Sequence, residues 1–178
     1  MLKNGLDVEK KTVMRVAELM AAVARTAPKG CGIDNIEVRI VDGEEKDALA
    51  EEMRKIGEET DVAFFVRDGN NVDDSVVVVL FGARISPIHC PNCGYCGYED
   101  CEENIENDGI CSFNITDLGI ALGSAVSIAA DHRIDNRILF SAGKASLNLK
   151  YFPSDVKVAY GVALSVSAKS PYFDRENQ

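Results

Sequence analysis

Five of the six cysteines in this sequence lie in one short segment, between Cys90 and Cys111. Their spacing is C-x2-C-x2-C-x4-C-x9-C, and gaps of two residues let neighbouring thiolates reach one metal centre without strain. The segment is rich in Gly, Asn, Asp and Glu, unlike the surroundings of cysteines buried as small hydrophobic residues. Clustered cysteines in an intracellular chain indicate metal or redox chemistry rather than disulfides. The segment therefore predicts a metal centre.

The spacing favours an iron–sulfur cluster over zinc. A four-iron cluster takes four thiolates, and bacterial ferredoxins use a compact run of cysteines followed by a more distant ligand. Structural zinc sites also use four thiolates, but they commonly show two separated Cys-x2-Cys pairs. Here three cysteines follow one another at this spacing, and five are available for four positions. Zinc is kept as the alternative metal.

The cysteine segment is acidic, which bears on the potential of a bound cluster. Six carboxylates and no Lys or Arg occur between Cys90 and Ile110. Because a cluster with four thiolates is already anionic, nearby carboxylates disfavour the addition of an electron. We expect either a centre with a low reduction potential or a centre that does not change its redox state and only holds the loop. The same acids are also typical of an ordinary solvent-exposed surface.

Composition excludes several classes of protein. The net charge is −10, from 19 basic and 29 acidic residues, which argues against a nucleic-acid binder and against attachment to anionic membranes. No uninterrupted apolar run approaches the roughly 20 residues of a membrane span. Met1 to Lys11 is polar and lacks the apolar core of an export signal, so a cytoplasmic location is expected.

The remaining sequence predicts one α+β domain over residues 1–178, with residues 86–112 as an inserted metal-binding loop. Apolar residues at helical spacing predict helices over 12–26, 44–59, 116–130 and 145–149, the third capped by Thr116 or Asp117. Strands are predicted over 36–40, 62–66, 76–81, 137–141 and 157–168, with 76–81 central and buried on both faces. Asp42-Gly43 and 68–71 are predicted turns.

The helix predicted over 116–130 is unusually rich in Gly, Ala and Ser. Small side chains permit the close approach of another helix. The helix is therefore either a tightly packed core element or the contact surface of a homodimer.

The segment from Asn92 to Cys101 resembles the small four-iron–four-sulfur domain of membrane electron-transfer complexes and of the carbon monoxide dehydrogenase/acetyl-CoA synthase corrinoid proteins. That motif shares the spacing of two and then four residues, the glycine after the second cysteine and a more distant fourth ligand. The resemblance implies the ligands Cys93, Cys96, Cys101 and Cys111. Cys90 is then an alternate ligand, or a thiol beside the cluster.

The framework outside the loop resembles the nitroreductase family of flavin-binding α+β dimers. The likeness rests on the Ala-Pro ending of the first helix at Pro28, the order of elements after it, and the small-residue helix. Together with the loop, it matches the uncharacterised family described as containing a ferredoxin domain. This implies a mixed sheet flanked by helices, a homodimer and possible binding of FMN, with Lys29, Gly30 and Lys169 as its contacts. The paired N-terminal arginines that hold the flavin phosphate in nitroreductases have no counterpart before Val13.

Two functions from different classes follow. The first is an iron–sulfur electron-transfer protein whose cluster exchanges electrons with a flavin or with a partner protein. With a bound flavin, such a protein would resemble a reductase. The second is a non-catalytic protein whose zinc or iron–sulfur site holds an interaction loop in place. Cys31 stands between two glycines, where a backbone nest could raise its reactivity, but nothing in the sequence places His89 or His132 beside it. His89 could instead donate a hydrogen bond to the cluster.

Overall fold

The computed structural model describes residues 2–173, which form helices α1–α6 and strands β1–β4. In chain order these are α1 (Gly5–Thr26), β1 (Ile36–Val41), α2 (Gly43–Thr60), α3 (Ala63–Asp73), β2 (Val77–Arg84), α4 (Cys101–Glu106), α5 (Ser112–Asp131), β3 (Asp135–Leu139), α6 (Phe140–Asn148) and β4 (Val156–Ser165). A single 3-10 turn, Gly30–Gly32, lies between α1 and β1.

The four strands form one sheet in the order β1-β2-β4-β3. Every pair is antiparallel, so the expectation of a mixed sheet is wrong in strand direction, although the α+β class is confirmed. The central position of β2 is also confirmed, because its residues are buried on both faces. Ile36 at the start of β1 lies opposite Ala83 near the end of β2, whereas Leu164 near the end of β4 lies opposite Val77.

Helices cover both faces of the sheet. Alternate residues of β2 enter two separate hydrophobic cores, since successive side chains of a strand point to opposite faces. Val79 and Phe81 pack with α1 and α5, while Val78 and Leu80 pack with α2, α3 and α6. The result is a three-layer arrangement of helices, sheet and helices.

The region after α2 differs from the sequence prediction. Residues 62–66 were expected to form a strand and 68–71 a turn, but both lie in or beside helix α3, with Val62 as its N-cap. A five-residue apolar run is too short to distinguish a strand from a helix by periodicity. A Cβ on Gly69 would lie 2.9 Å from the Ala50 carbonyl oxygen, so this glycine permits close packing of α3 on α2.

Several element boundaries also differ. Helix α5 begins at Ser112 with Cys111 as its N-cap, so neither Thr116 nor Asp117 caps it. The Thr116 hydroxyl instead donates to the Ser112 carbonyl within the helix. Helix α1 begins earlier than predicted, where the Asn4 side chain accepts from the Leu6 N–H at 3.1 Å. Residues 140 and 141, predicted as strand, begin α6, and β4 ends at Ser165 instead of continuing to residue 168.

By length and composition alone, α5 is the one helix within residues 2–173 that could cross a membrane. In the fold it is a core helix packed on α1 and the sheet. Leu118, Ala121, Ala125 and Ala129 are fully buried along its inner face. The opposite face remains exposed and consists mainly of small residues.

Candidate metal centre

The cysteine segment leaves the sheet after β2 and returns to the core at α5. Its two ends are fixed to the framework by backbone contacts. The Ser86 N–H donates to Oδ1 of the fully buried Asn114 at 2.9 Å, and the Asn35 side chain donates to the Ser86 carbonyl at 3.3 Å. The Ile85 N–H donates to the Asp155 carbonyl at 3.0 Å. These bonds hold the segment over the sheet end where β1 starts and β2 stops.

Left-handed backbone conformations wind the chain around the first three cysteines. Positive φ angles occur at His89, Asn92, Gly94 and Gly97, so Cys90, Cys93 and Cys96 each have at least one such neighbour. Glycine and asparagine adopt this region at low cost. A hydrogen bond of 3.0 Å from the Gly97 N–H to the Gly94 carbonyl closes one of the turns. The Gly and Asn residues that flagged this segment in the sequence therefore shape the path of its backbone.

Cys101 and Cys111 are positioned by helix ends. Cys101 is the first residue of α4, where the Asp100 carboxylate caps the helix by accepting from the Glu103 N–H at 2.9 Å. The Glu103 carboxylate in turn accepts from the N–H of Glu99, the residue before the N-cap, at 2.7 Å. Cys111 is the N-cap of α5 and is buried. The free N–H groups at the start of this long helix favour a negatively charged sulfur.

All five clustered cysteines line one cavity of about 200 Å³. Cys111 is buried at its inner wall, and Cys90, Cys93, Cys96 and Cys101 are half-buried. Across residues 2–173, no three His, Cys, Asp or Glu side chains converge closely enough to hold a single metal ion. A cubane cluster is held differently, because each of its four thiolates binds a different iron.

The cavity wall carries carboxylates but no Lys or Arg among the residues that line it. Glu99, Asp100 and Glu102 are exposed at its rim. Nδ1 of His89, which also lines the cavity, lies 3.4 Å from Oε1 of Glu102. The carboxylates therefore give the rim a negative charge, and the His89 imidazole lies among them.

An unpartnered amide at the cavity wall provides a test of whether this site suits a sulfur-rich group. Asn104 is only 1% exposed and lines the cavity, yet neither Nδ2 nor Oδ1 of its side chain has a hydrogen-bond partner within residues 2–173. Unsatisfied buried polar groups are rare and costly. An acceptor in the cavity, such as a cluster sulfide or a thiolate, would satisfy the donor. The five thiols and this amide together fit a thiolate-bound iron–sulfur centre.

The sixth cysteine lies beside the cluster of five, which sequence reasoning did not find. Burial together with the nearby thiols of Cys31 and Cys93 raises the pKa of Cys90. Cys31 is exposed in the Gly30–Gly32 turn. No motif links residues so far apart in the chain, so a single sequence contained no signal for this position.

The three residues predicted as flavin contacts do not lie together. The Lys29 ammonium donates to the carbonyls of Ala24, Arg25 and Ala27, each at 2.7 Å, and so caps the end of α1; burial lowers its pKa. A Cβ on Gly30 would lie 2.8 Å from Ile88 Cδ1, so the cysteine segment already covers this turn. Lys169 follows β4 at the opposite end of the sheet, about 20 Å away along β2. Their contact with FMN stays a prediction.

Comparison with known proteins identifies the family of this chain. The profile of a family described as "Uncharacterized protein containing a ferredoxin domain" matches residues 107–175, a range that includes Cys111 and α5. A protein of Archaeoglobus fulgidus described as "Uncharacterized protein" is 42% identical over 98% of this chain and 98% of its own length. The chain belongs to this family of ferredoxin-domain-containing proteins.

Solved structures with a similar fold include nitroreductases. An FMN-dependent nitroreductase from Clostridium difficile R20291 superposes with a TM-score of 0.57 and 16% identity, covering 87% of this chain and 76% of its own. A nitroreductase with bound FMN from Desulfitobacterium hafniense DCB-2 gives a TM-score of 0.59 and 13% identity, covering 87% and 78%. At these identities the likeness establishes that this chain has a nitroreductase-like fold. It does not assign an activity to the chain.

Proposed function

We propose that this protein is an iron–sulfur electron-transfer protein built on a nitroreductase-like framework. The observation that carries the proposal is that five cysteines and the buried Asn104, whose amide lacks a partner among residues 2–173, line one cavity. Cys93, Cys96, Cys101 and Cys111 would hold the cluster, which would supply one-electron redox chemistry. A ferredoxin-domain family and a fold shared with flavin enzymes support a redox role.

The surroundings of the cavity favour electron exchange with a partner protein. The thiols of Cys93, Cys96 and Cys101 are half-buried, so the group they bind would lie close to the protein surface. Tyr95 between them is 78% exposed and stacks on Phe113, with ring centroids 6.1 Å apart. The acidic rim is complementary to a redox partner with a basic surface.

Anaerobic purification tests the proposal. A broad visible absorption with matching amounts of iron and sulfide is the expected result. A colourless protein that retains zinc and no iron would overturn it, and would favour the alternative of a structural metal that holds an interaction loop. A yellow flavin band in the same spectrum would show that the protein also binds a flavin such as FMN. Since Lys29 and Lys169 lie at opposite ends of one sheet, a flavin that contacts both would lie between two chains of a homodimer.

Cysteine variants test the ligand set. Cys96→Ser should lose most of the iron and sulfide, because serine is a poor replacement for a thiolate ligand. Cys90→Ser is the matched control, since it removes a thiol from the same cavity and should retain the full iron content. A Cys96→Ser protein with full iron, or a Cys90→Ser protein without iron, would contradict this assignment.

A further inference from the structure

The first part of helix α1 is exposed all the way round. Each residue from 2 to 12 is exposed, and packing against the core begins only at Val13. Leu6 is apolar and yet 72% exposed. A helix in a folded protein is stabilised mainly by packing one face against a neighbour, so such a stretch is expected to have a partner surface. The part of the chain that the structure describes does not cover these residues.

The same stretch is basic in a strongly acidic protein. Residues 2–15 contain four basic and two acidic side chains. Arg15 is paired with Glu18 at 2.8 Å, whereas Lys3, Lys10 and Lys11 form no ion pair within residues 2–173. The cysteine segment has the opposite character, because residues 90–110 carry six exposed carboxylates and no Lys or Arg. The start of α1 and the cysteine segment are therefore complementary in charge.

Within one chain these two surfaces lie at opposite ends of the fold. The turn that follows α1 packs against Phe113 at the start of α5, beside the cysteine segment. Leu6 near the start of α1 instead lines a shallow groove with Val76 and Val166, where β2 begins and β4 has ended. Helix α1 has 22 residues and is therefore about 33 Å long. A contact between the two surfaces requires a second copy of the chain.

The uncharged exposed face of α5 determines which ends of two copies meet. Helix α5 begins beside the cysteine segment and ends shortly before Asp135, which lies opposite Ser165 at the far end of the sheet. At the cysteine end, the exposed Tyr95 ring stacks on Phe113 and extends this face. Two copies that join here by a two-fold axis can place their α5 helices in the same direction or in opposite directions.

Charge distinguishes the two arrangements. With the α5 helices in the same direction, the two acidic cysteine segments would lie beside each other, and like charges disfavour this. With the helices in opposite directions, the start of each α1 lies beside the cysteine segment of the other copy. Opposite charges then meet twice in one symmetric dimer.

We propose that two copies pair on α5 in opposite directions, so that Lys3, Lys10 and Lys11 of each copy contact the acidic cysteine segment of the other. The consequence for the metal centre rests on the proposed function. Ammonium groups beside an anionic cluster favour the addition of an electron, so pairing raises its reduction potential. Six carboxylates exceed three ammonium groups, and the segment therefore stays complementary to a basic redox partner.

Carbodiimide cross-linking of the anaerobically purified protein, followed by peptide mass spectrometry, tests the contact. This reagent joins an amine to a carboxylate only where the two groups touch, so Lys10 or Lys11 cannot be joined to residues 99–108 of the same chain. We expect this bond in a product of twice the 19.3 kDa mass of the chain. Cross-links confined to other residues, or a monomeric wild-type protein, would overturn the proposal.

A conservative double variant separates the charge from the reactive amine. Lys10→Arg combined with Lys11→Arg keeps both charges but removes the amines that form amide bonds with carboxylates. It should lose these cross-links while it remains a dimer by light scattering and keeps the wild-type reduction potential. A monomeric form of this variant would contradict a contact that is based on charge.

An anaerobic redox titration tests the consequence for the metal centre. Lys10→Glu combined with Lys11→Glu should lower the reduction potential. Lys144→Glu combined with Lys150→Glu is the matched control, because it makes the same change of charge at exposed positions in and after α6, on the other face of the sheet. At 0.15 M salt, where the screening length is about 8 Å, the control should keep the wild-type potential.

The two proposals fail in different measurements. Equal potentials in the two glutamate variants would overturn the effect of pairing on the metal centre. Wild-type protein without iron or sulfide would instead contradict the proposed cluster, and this result is read from the metal analysis. The cross-linked peptides would still report the contact in that case, because they do not depend on a bound metal.

Discussion

The Asn104 side chain is nearly fully buried at the cavity wall, and its amide has no partner in the part of the chain that the structure describes. Its Nδ2 donor would interact more strongly with a cluster sulfur after reduction, because the sulfur then carries more negative charge. Removing the donor should therefore lower the reduction potential. A hydrogen bond contributes about 0.5–1.5 kcal/mol, and the difference between the two redox states is at most of this size, which for one electron sets an upper limit of about 60 mV. We expect a decrease within this limit in Asn104→Leu, measured by an anaerobic redox titration.

Asn107→Leu is the matched control for that titration. Asn107 lies on the same short segment, but its side chain is exposed and donates to the Glu103 carbonyl at 2.8 Å. Its replacement should leave the potential unchanged. Equal shifts in the two variants would show that Asn104 acts through the fold of the loop rather than by a hydrogen bond to the cluster.

The residues of the candidate site differ in how far the sequence could predict them. The spacing of Cys90, Cys93, Cys96 and Cys101 is local, and the structure places all four at one cavity. The position of Cys31 near the cysteine segment depends on how the Gly30–Gly32 turn packs against Ile88, which no local pattern encodes. The position of Asn104 was equally hidden, since an asparagine in a polar loop is expected to be solvated.

Helix α5 is joined to the Gly30–Gly32 turn by the buried Asp117, and this predicts a pH dependence of stability. Burial raises the pKa of Asp117 above its ordinary value of 3.8, although the Gly30 N–H opposes the shift. The native state therefore binds more protons than the unfolded state in the window just above pH 3.8. Stability must fall as pH rises through this window. Asp117→Asn should lose that part of the pH dependence, as measured by urea unfolding across pH 3.5–6.

Other acids act with the opposite sign, so the comparison must be made between variants. The hydrogen bond from Arg84 lowers the pKa of Glu37, so its contribution is present at neutral pH and disappears as pH falls. The difference between wild type and Asp117→Asn cancels this term, because both proteins contain Glu37. A difference in unfolding free energy that stays constant across the range would contradict the role assigned to Asp117.

The packing of α6 on β4 depends on Gly143. A Cβ at this position would lie 1.9 Å from the Ala159 carbonyl oxygen, and backbone atoms cannot move aside as a flexible side chain can. Gly143→Ala should destabilise the protein by about 3 kcal/mol, because the helix must shift away from the strand. Thermal or urea unfolding measures this loss. Lys144→Ala, at the exposed neighbouring position, should change stability by less than about 0.5 kcal/mol, and equal losses would refute the packing argument.

Helix α3 shows why some elements could not be predicted from local pattern. The sequence from Asp68 to Asn71 has the composition of a turn, but Asp68 is buried and accepts from the Ser141 hydroxyl at 2.7 Å at the start of α6. Gly69 lies where α2 approaches most closely. Tertiary contacts with two other helices thus override the turn propensity. The central strand was predictable because its residues face two cores at once. Both faces of the strand must then be apolar, and this is visible in the sequence as an uninterrupted apolar run.

The protein is strongly acidic overall, but one exposed face carries no charged residue. The net charge is −10, and the exposed face of α5 from Thr116 to Ser127 has no charged residue. A Cβ added at Gly119 or Gly123 on this face would have no neighbour within 4 Å, and Ile120 between them is 41% exposed. An uncharged surface on a strongly acidic protein is suited to contact with the same surface of a second copy. The acidic surfaces of two copies would repel each other, whereas two uncharged faces bring no like charges together.

We therefore expect a homodimer with α5 at its interface. Gel filtration with light scattering should give twice the 19.3 kDa mass of the chain. Ile120→Glu should shift the protein toward monomer, because it would bury a charge without a partner in the interface. Ile105→Glu is the matched control, since Ile105 is 51% exposed on α4 in the cysteine segment and should leave the dimer intact. A monomeric wild-type protein would rule out the dimer, whereas a dimer that survives Ile120→Glu would place the interface elsewhere on the molecule.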